Sequence, residues 1–265
     1  MNATAFKSAF SNSITLLFAA AVLCTVAVLP AQSQVRYRVA AGLSTSWITN
    51  DNPAVYRIAG TGNDTDTTAG FGGGFDGMQI GWGVKGFADL DKQKITRIPF
   101  GVDYFMYSGT QSIRSTSYAI RVQNDVSLYS FHGGFEWSFV EFPLAYARAY
   151  LGAEARLTAV GQNTITYNER YPNAIPPIDT TRITMGKPAA MRLGGMVRLG
   201  IEGEIYYPLF LNTSVSWGAM NLVGRDTRPT WEGGRGELLT PRSINEAGES
   251  LIYHLNFTFM LQVRI

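Results

Sequence analysis

The chain has one cysteine in 265 residues, Cys24, and only two histidines, His132 and His254. One thiol forms neither a disulfide framework nor a zinc finger. Charged residues are also scarce, at 16%, and nearly balanced at a formal +2. A nucleic-acid-binding domain normally shows a clustered basic excess, so the charge gives no case for that partner. A mean hydropathy of zero is too apolar for a disordered polar chain and too polar for a bundle of membrane helices. What is plentiful is glycine, at 28 residues, and aromatic side chains, at 12%.

Residues 1–33 read as a targeting segment. Lys7 is their only charged side chain, and the apolar stretch Ile14 to Leu29 is interrupted only by Thr15, Cys24 and Thr25. Pro30 ends the run, and Ala31-Gln32-Ser33 supplies small residues at the spacing a signal peptidase needs. The pattern predicts a secretory signal peptide cleaved before Gln34, with residues 34–265 as one domain. As a membrane anchor the run is short of about 20 residues, and no positive cluster follows to hold it. An exported mature chain without thiols must take its stability from its architecture.

Period-two alternation runs through that mature chain. Odd positions from 251 to 265 are all apolar, whereas His254, Asn256, Thr258, Gln262 and Arg264 occupy the even ones. Only a strand puts alternate residues on opposite faces. The same parity sets Leu193, Val197, Leu199 and Ile201 against Arg192, Arg198, Glu202 and Glu204. Over 145–160 it sets alanine and leucine against Tyr146, Arg148, Tyr150, Glu154 and Arg156. Weaker runs over 36–47, about 70–89, 95–107, 126–137 and 209–222 bring the strand number to eight. The connections alternate between short (90–94, 138–144, 206–208) and long (48–69, 108–125, 161–189, 223–250). A soluble sandwich rarely sorts its loops this way. An outer-membrane barrel does, with tight periplasmic turns and large external loops. Aromatic placement points the same way: Trp47, Tyr104, Trp217 and Tyr253 fall near the outer ends of their strands, and Trp137, Tyr206 and Tyr207 near the inner ends. Amphipathic rings collect as girdles at the two bilayer interfaces.

The leader, the eight strands, the sorted loops and the closing segment Leu255 to Ile265 resemble the small bacterial outer-membrane β-barrels of the OmpA/OmpX-like kind. The resemblance covers nearly the whole mature chain. It departs at Ile265, where the family's closing strand usually ends in an aromatic residue. It implies an all-β fold, an eight-stranded antiparallel transmembrane barrel of outer-membrane type with long external loops and short periplasmic turns. It also implies residence in the outer membrane of a Gram-negative bacterium, and contact of the C-terminal strand with the barrel-assembly machinery.

Eight strands enclose a lumen barely wide enough for side chains. The inward charges are therefore expected to pair as a structural network: Arg148, Glu154, Arg156, Arg192, Arg198, Glu202 and Glu204 above all, with Arg36, Arg38, Lys85, Arg97, Asp103, Glu136 and Arg264. Pairing about a loop midpoint near residue 175 sets Glu154 near Arg198, Arg192 near Arg156 or Thr158, and Arg148 near Glu202 and Glu204. The rival reading lines an ion-selective pore with the same residues. Gly81-Trp82-Gly83-Val84-Lys85-Gly86 matches GxGxxG, but a dinucleotide site needs those glycines between a strand and a helix, and here they sit inside a strand. Outer-membrane lipid A deacylases need a serine beside a histidine base and place it two residues after that histidine, where His132 and His254 carry Gly134 and Asn256. Asp64 and Asp66 lack the spacing of a complete calcium site. The sequence thus predicts no enzyme, no cofactor, no metal and no nucleic acid. It leaves three functions in order: a structural or surface-interaction barrel displaying four loops to lipopolysaccharide and unidentified surface partners, a narrow channel or carrier, and a lipid-modifying enzyme.

Overall fold

The computed structural model describes residues 36–56, 74–90, 95–241 and 248–265. The signal peptide expected over 1–33, and Asp64 and Asp66, lie outside them. Among the described residues ten strands form: β1 (Arg36–Ile48), β2 (Gln79–Asp89), β3 (Thr96–Arg114), β4 (Ala119–Phe142), β5 (Ala147–Val160), β6 (Thr164–Tyr171), β7 (Ile178–Met185), β8 (Ala190–Tyr206), β9 (Leu209–Val223) and β10 (Tyr253–Arg264). Eight of them pair antiparallel in a closed circuit, β1–β2–β3–β4–β5–β8–β9–β10, and β10 returns to β1 with Leu43 opposite Phe259. Closure leaves the circuit without an open edge, so its backbone hydrogen bonds are all internal. A hydrocarbon environment imposes that condition, because it supplies no substitute partners.

Strands β6 and β7 are not in the circuit. They form a hairpin on the far stretch of β4, with Ala119 opposite Arg170 and Asp125 opposite Thr164. β4 changes neighbour there, since its pairing with β5 begins at Leu128 opposite Val160. The connection expected over 108–125 is therefore almost entirely strand. β3 runs on to Arg114 and returns through residues 115–118, where the Ser115 amide donates to the Tyr118 carbonyl at 2.8 Å. On β4 the inward parity continues through Ile120 and Val122, with Val122 buried, whereas residues 108–112 of β3, Ser, Gly, Thr, Gln and Ser, carry no alternation of the kind that marks the eight wall strands. The second strand begins later than expected, at Gln79.

The circuit is inverted relative to a soluble protein. Leu43, Phe135, Leu199, Val215 and Phe259 point outward and are exposed, whereas Arg38, Arg97, Arg198 and Glu154 are enclosed within. Leu199 is 55% exposed and its chain neighbour Arg198 only 2%. So large a continuous apolar surface needs an apolar solvent. Among the described residues no helix is long and apolar enough to cross a membrane; here strands of 11 or more residues make the wall, and about 9–11 suffice.

Two inward glycines make room for what faces them. A Cβ on Gly83 would lie 2.1 Å from the Asp103 carboxylate, and one on Gly200 would lie 2.4 Å from the Tyr150 ring. The GxGxxG glycines accordingly sit in a barrel wall. Leu199→Arg is expected to cost about 2–4 kcal/mol, the penalty of a charge on the lipid face near the midplane. Sequence alone suggests that a small side chain at Gly200 is tolerated if there is room; there is none, and Gly200→Ala is expected to destabilise as well. Urea titration of the refolded protein in lipid measures both. A Leu199→Arg protein as stable as the parent would reverse the face assignment.

Candidate functional site

The lumen is the candidate site, because it concentrates the buried charge. The β5–β8 register puts Arg148 opposite Glu202 and Thr158 opposite Arg192. Glu202 is the hub of the tier nearest the short turns. It accepts from Arg38 of β1 and Arg97 of β3, and lies 3.3 Å from Arg148 of β5. Arg38 also holds Asp89 of β2 at 2.9 Å, and Arg97 holds Glu136 of β4. The Arg97 guanidinium lies over the rings of Phe87 and Tyr150, each at 4.5 Å. Guanidinium planes stack on aromatic faces while their edges keep donating, so one side chain fills the bore and bridges strands.

Glu136 carries the network to the next tier. Its second oxygen lies 3.2 Å from Arg198 of β8, which also reaches Glu154 of β5 at 2.5 Å. Arg156 contacts Glu154 at 3.0 Å and Asp103 at 3.2 Å, and Asp103 lies 3.5 Å from His132. Lys85 is enclosed at the same level. Five arginines and five carboxylates from six strands thus form one chain of contacts across the bore. Strands β9 and β10 face it with neutral polar groups: Tyr150 donates to Asn212 at 2.6 Å, and Arg198 to Ser216 at 3.2 Å.

Four residues expected in the lumen lie elsewhere. Glu204 is exposed near the short turns and does not meet Arg148; Arg36 is exposed and Arg264 half-exposed, at strand ends where parity no longer implies enclosure. Arg192 is buried but belongs to the opposite mouth. There it grips Glu249 with two nitrogens, Nε at 2.9 Å and Nη2 at 2.5 Å. Its partner lies in a segment without periodicity, where sequence offers no pairing signal. Asp89, at the last position of its strand, completes the tier that the sequence reading assembled without it. Of the aromatic residues singled out, Trp47, Trp137, Tyr206, Tyr207 and Trp217 are exposed. Tyr253 stacks on Trp217 at 5.5 Å, and Tyr104 lies between Trp82 and Tyr129 at 5.7 and 4.9 Å.

Above the charges, the mouth at the long-loop end is apolar. Ile48, Phe105, Tyr107, Val126, Leu128, Val160 and Met220 of the wall pack with Ala54, Phe75, Leu238, Leu239 and Ile252 of the connections. Leu238, Leu239 and Ile252 are fully buried. Polar side chains tie these segments down. Lys187 donates to the Glu237 carbonyl and, at 2.7 Å, to Thr240; Asn163 donates to the Leu239 carbonyl at 3.1 Å. Glu237 accepts from the Ser250 hydroxyl at 2.9 Å, and Asn221 donates to Glu249 at 2.8 Å. Nearby, Arg228 donates to Asp226 at 2.9 and 3.0 Å and holds that carboxyl down at about 2. The clasp therefore stays ionised through the neutral range. Two of the four long connections thus fold inward, at least in part, rather than standing free.

One pair has the spacing of a nucleophile and its base: Ser46 Oγ lies 3.1 Å from His254 Nδ1. Ser46 has no exposure, and its oxygen accepts from Tyr107 at 2.6 Å beneath the apolar mouth. Among the described residues no cluster of His, Cys, Asp and Glu has the arrangement of a metal site. Glu202→Ala removes the acceptor shared by Arg38, Arg97 and Arg148 inside a narrow bore. It is expected to cost about 3–5 kcal/mol, as for breaking a buried ion pair from one side. The urea midpoint of the refolded variant reads it.

No family model matches the chain, and comparison with curated proteins finds no match. Among solved structures it is similar to Neisserial surface protein A, at 11% identity over 88% of this chain and 98% of that one, with a TM-score of 0.40. It is also similar to Ail, the attachment invasion locus protein of Yersinia pestis, in complex with the heparin analogue sucrose octasulfate. That likeness is 9% identity over 87% of this chain and 99% of that one, with a TM-score of 0.40. The fold assignment rests on the chain's own strand pairing and inverted surface, which make it an eight-stranded antiparallel β-barrel of outer-membrane type.

Proposed function

We propose that this is an exported surface protein of the Gram-negative outer membrane, in which a plugged barrel is a rigid, non-conducting support for the structures at its long-loop end. On this reading residues 1–33 are removed as a signal peptide and 34–265 form the single barrel domain. The observation that carries it is the double obstruction of the bore, with an apolar plug of wall and loop side chains over a cross-bracing ion-pair network. A conducting pore needs a continuous hydrated path, and the sign of the charges lining it sets its selectivity. Here five arginines and five carboxylates are spent on one another across the bore. Trp47, Tyr104, Trp217 and Tyr253 serve as the outer aromatic girdle, and Trp137, Tyr206 and Tyr207 as the inner one. The partners are membrane lipid and lipopolysaccharide along the wall, the barrel-assembly machinery at the C-terminal strand, and surface molecules at the loops.

The reading includes no catalytic role. A lipid hydrolase must bring its serine to an acyl chain, and Ser46 faces away from the bilayer in an enclosed interior. Planar-bilayer recording is expected to show no unitary conductance for the parent protein; steady ion-selective openings would replace this reading with the narrow channel. A fluorophosphonate probe is expected to leave Ser46 of the folded protein unlabelled. Labelling that disappears in Ser46→Ala would restore the enzyme reading.

A further inference from the structure

The sheet that β3, β4, β6 and β7 continue beyond the barrel has two faces, and the face continuous with the lipid-facing wall carries exposed Ile183 and Met185 nearer the barrel and turns basic toward its tip. On β3 the outward parity that carries Tyr104 and Met106 continues to Ser112 and Arg114; on β4 the parity of Tyr129 and Phe131 continues to Arg121. The register aligns Ser112 with Arg121, Arg121 with Asn168, Ala119 with Arg170, and Arg170 with Asp179. Arg114, Arg121 and Arg170 therefore share one face, around a shallow pocket of about 170 Å³ that Ser112, Asn168 and Asp179 also line. Arg114 and Arg121 are exposed and have no carboxylate partner among the described residues. Arg170 has Asp179 at 3.9 Å, but both are at least 70% exposed, and such a pair contributes little. Asp125, four residues nearer the barrel on the same face, accepts from the Gln123 amide at 2.9 Å.

Height decides what this face meets. Met106 is the last apolar outward side chain on β3, and Ser112, the partner of Arg121, lies six residues further. At about 3.3 Å per residue that is roughly 20 Å along the strand, or about 15 Å of height at the usual tilt of such barrels. Arg114 and Arg170 stand higher still. A phospholipid headgroup layer is only about 5–8 Å deep, too shallow to reach them. The sugars of a membrane glycolipid extend that far. Three planar guanidinium forks suit phosphate and carboxylate oxygens, and Ser112 and Asn168 beside them suit sugar hydroxyls.

We propose that this face binds the anionic, phosphate- or carboxylate-bearing sugars of an outer-leaflet glycolipid. The proposal rests on the outer-membrane reading above and gives its lipopolysaccharide contact a location. The refolded full chain in zwitterionic detergent is titrated with rough-type lipopolysaccharide retaining its phosphorylated core, with lipid A lacking core sugars, and with phosphatidylglycerol. Core-bearing lipopolysaccharide is expected to bind about tenfold more tightly than the other two, which is roughly what one charged hydrogen bond supplies. The combined Arg114→Gln, Arg121→Gln and Arg170→Gln variant should lose that advantage while keeping the heat-modifiable gel migration of a folded barrel. Parent-like preference in the triple variant overturns the proposal, as does equal binding of lipid A or phosphatidylglycerol. Tighter binding of a soluble sulfated polysaccharide to the same arginines would assign the face to a soluble polyanion and also overturn it. Should the triple variant not fold, Arg121→Gln alone must still reduce the preference, and an unchanged value counts against the face. Failure of the parent to fold in detergent or bilayers would instead sink the barrel reading beneath it.

Discussion

Everything in this molecule depends on the bore of an eight-stranded barrel being only as wide as the side chains that fill it. An inward group has no bulk water to fall back on, so an inward charge is stabilised chiefly by opposite charges inside the bore. Glu202 meets this condition by drawing arginines from β1, β3 and β5, and Glu136 by joining Arg97 to Arg198. Arg38 and Arg97 reach Glu202, and Arg198 reaches Glu136, between strands that are not neighbours in the ring, while Arg148–Glu202 and Arg97–Glu136 reinforce strands already paired. The network therefore does for the interior what backbone pairing does for the wall. It also fixes register: a two-residue slip of β8 past β5 would keep every side chain on its face yet move Glu202 away from Arg148.

The same narrowness divides the interior by height. Arginine and glutamate are long enough to cross the bore, and stacking on Phe87, Tyr150 and Phe210 gives the guanidinium groups an apolar bed. Nearer the long-loop end the inward residues become Ile48, Phe105, Val126, Leu128 and Val160. An apolar mouth facing water would be costly, and the chain covers it with Leu238, Leu239, Ala54 and Phe75. A connection that ends in the core needs polar anchors for its own backbone. Asn163, Lys187, Asn221 and Glu249 provide them, which is why buried polar residues cluster in a part of the chain that is irregular in sequence.

How much was legible follows from where two solvents meet. Along the eight wall strands one face contacts lipid and the other the lumen, so hydropathy alternates and parity identifies both faces, as with Leu199 and Arg198. The β5–β8 register was legible too, because a connection folded as a hairpin sets Arg148 opposite Glu202. Over the far half of β3 and over β7 the alternation is lost, and these polar runs read as loop although their Thr and Ile suit strands. β6 and the far half of β4 keep an apolar parity through the buried Ile165 and Val122, but over runs too short to stand out from a connection. Glu204, Arg36 and Arg264 obey the parity but lie beyond the enclosed length, a limit periodicity cannot mark. The Arg192–Glu249 grip joins a strand to an aperiodic segment 57 residues away, and nothing local announces it.

The plug and the projecting sheet answer the same problem in opposite ways. A long connection leaving a barrel has backbone groups to satisfy and little apolar surface of its own. The segment between β9 and β10 solves this by folding inward, taking its core from the barrel mouth and its polar partners from the surrounding wall. The connection between β5 and β8 instead makes its own hairpin and borrows the extended edge of β4 for pairing. The first solution fills the mouth of the barrel with side chains of the connection itself. The second carries a charged sheet beyond the barrel on a wall that is closed and cross-braced. The lumen of a barrel built this way is filled by its own side chains, and the polar surface that the long connections provide lies on the sheet and loops beyond the wall.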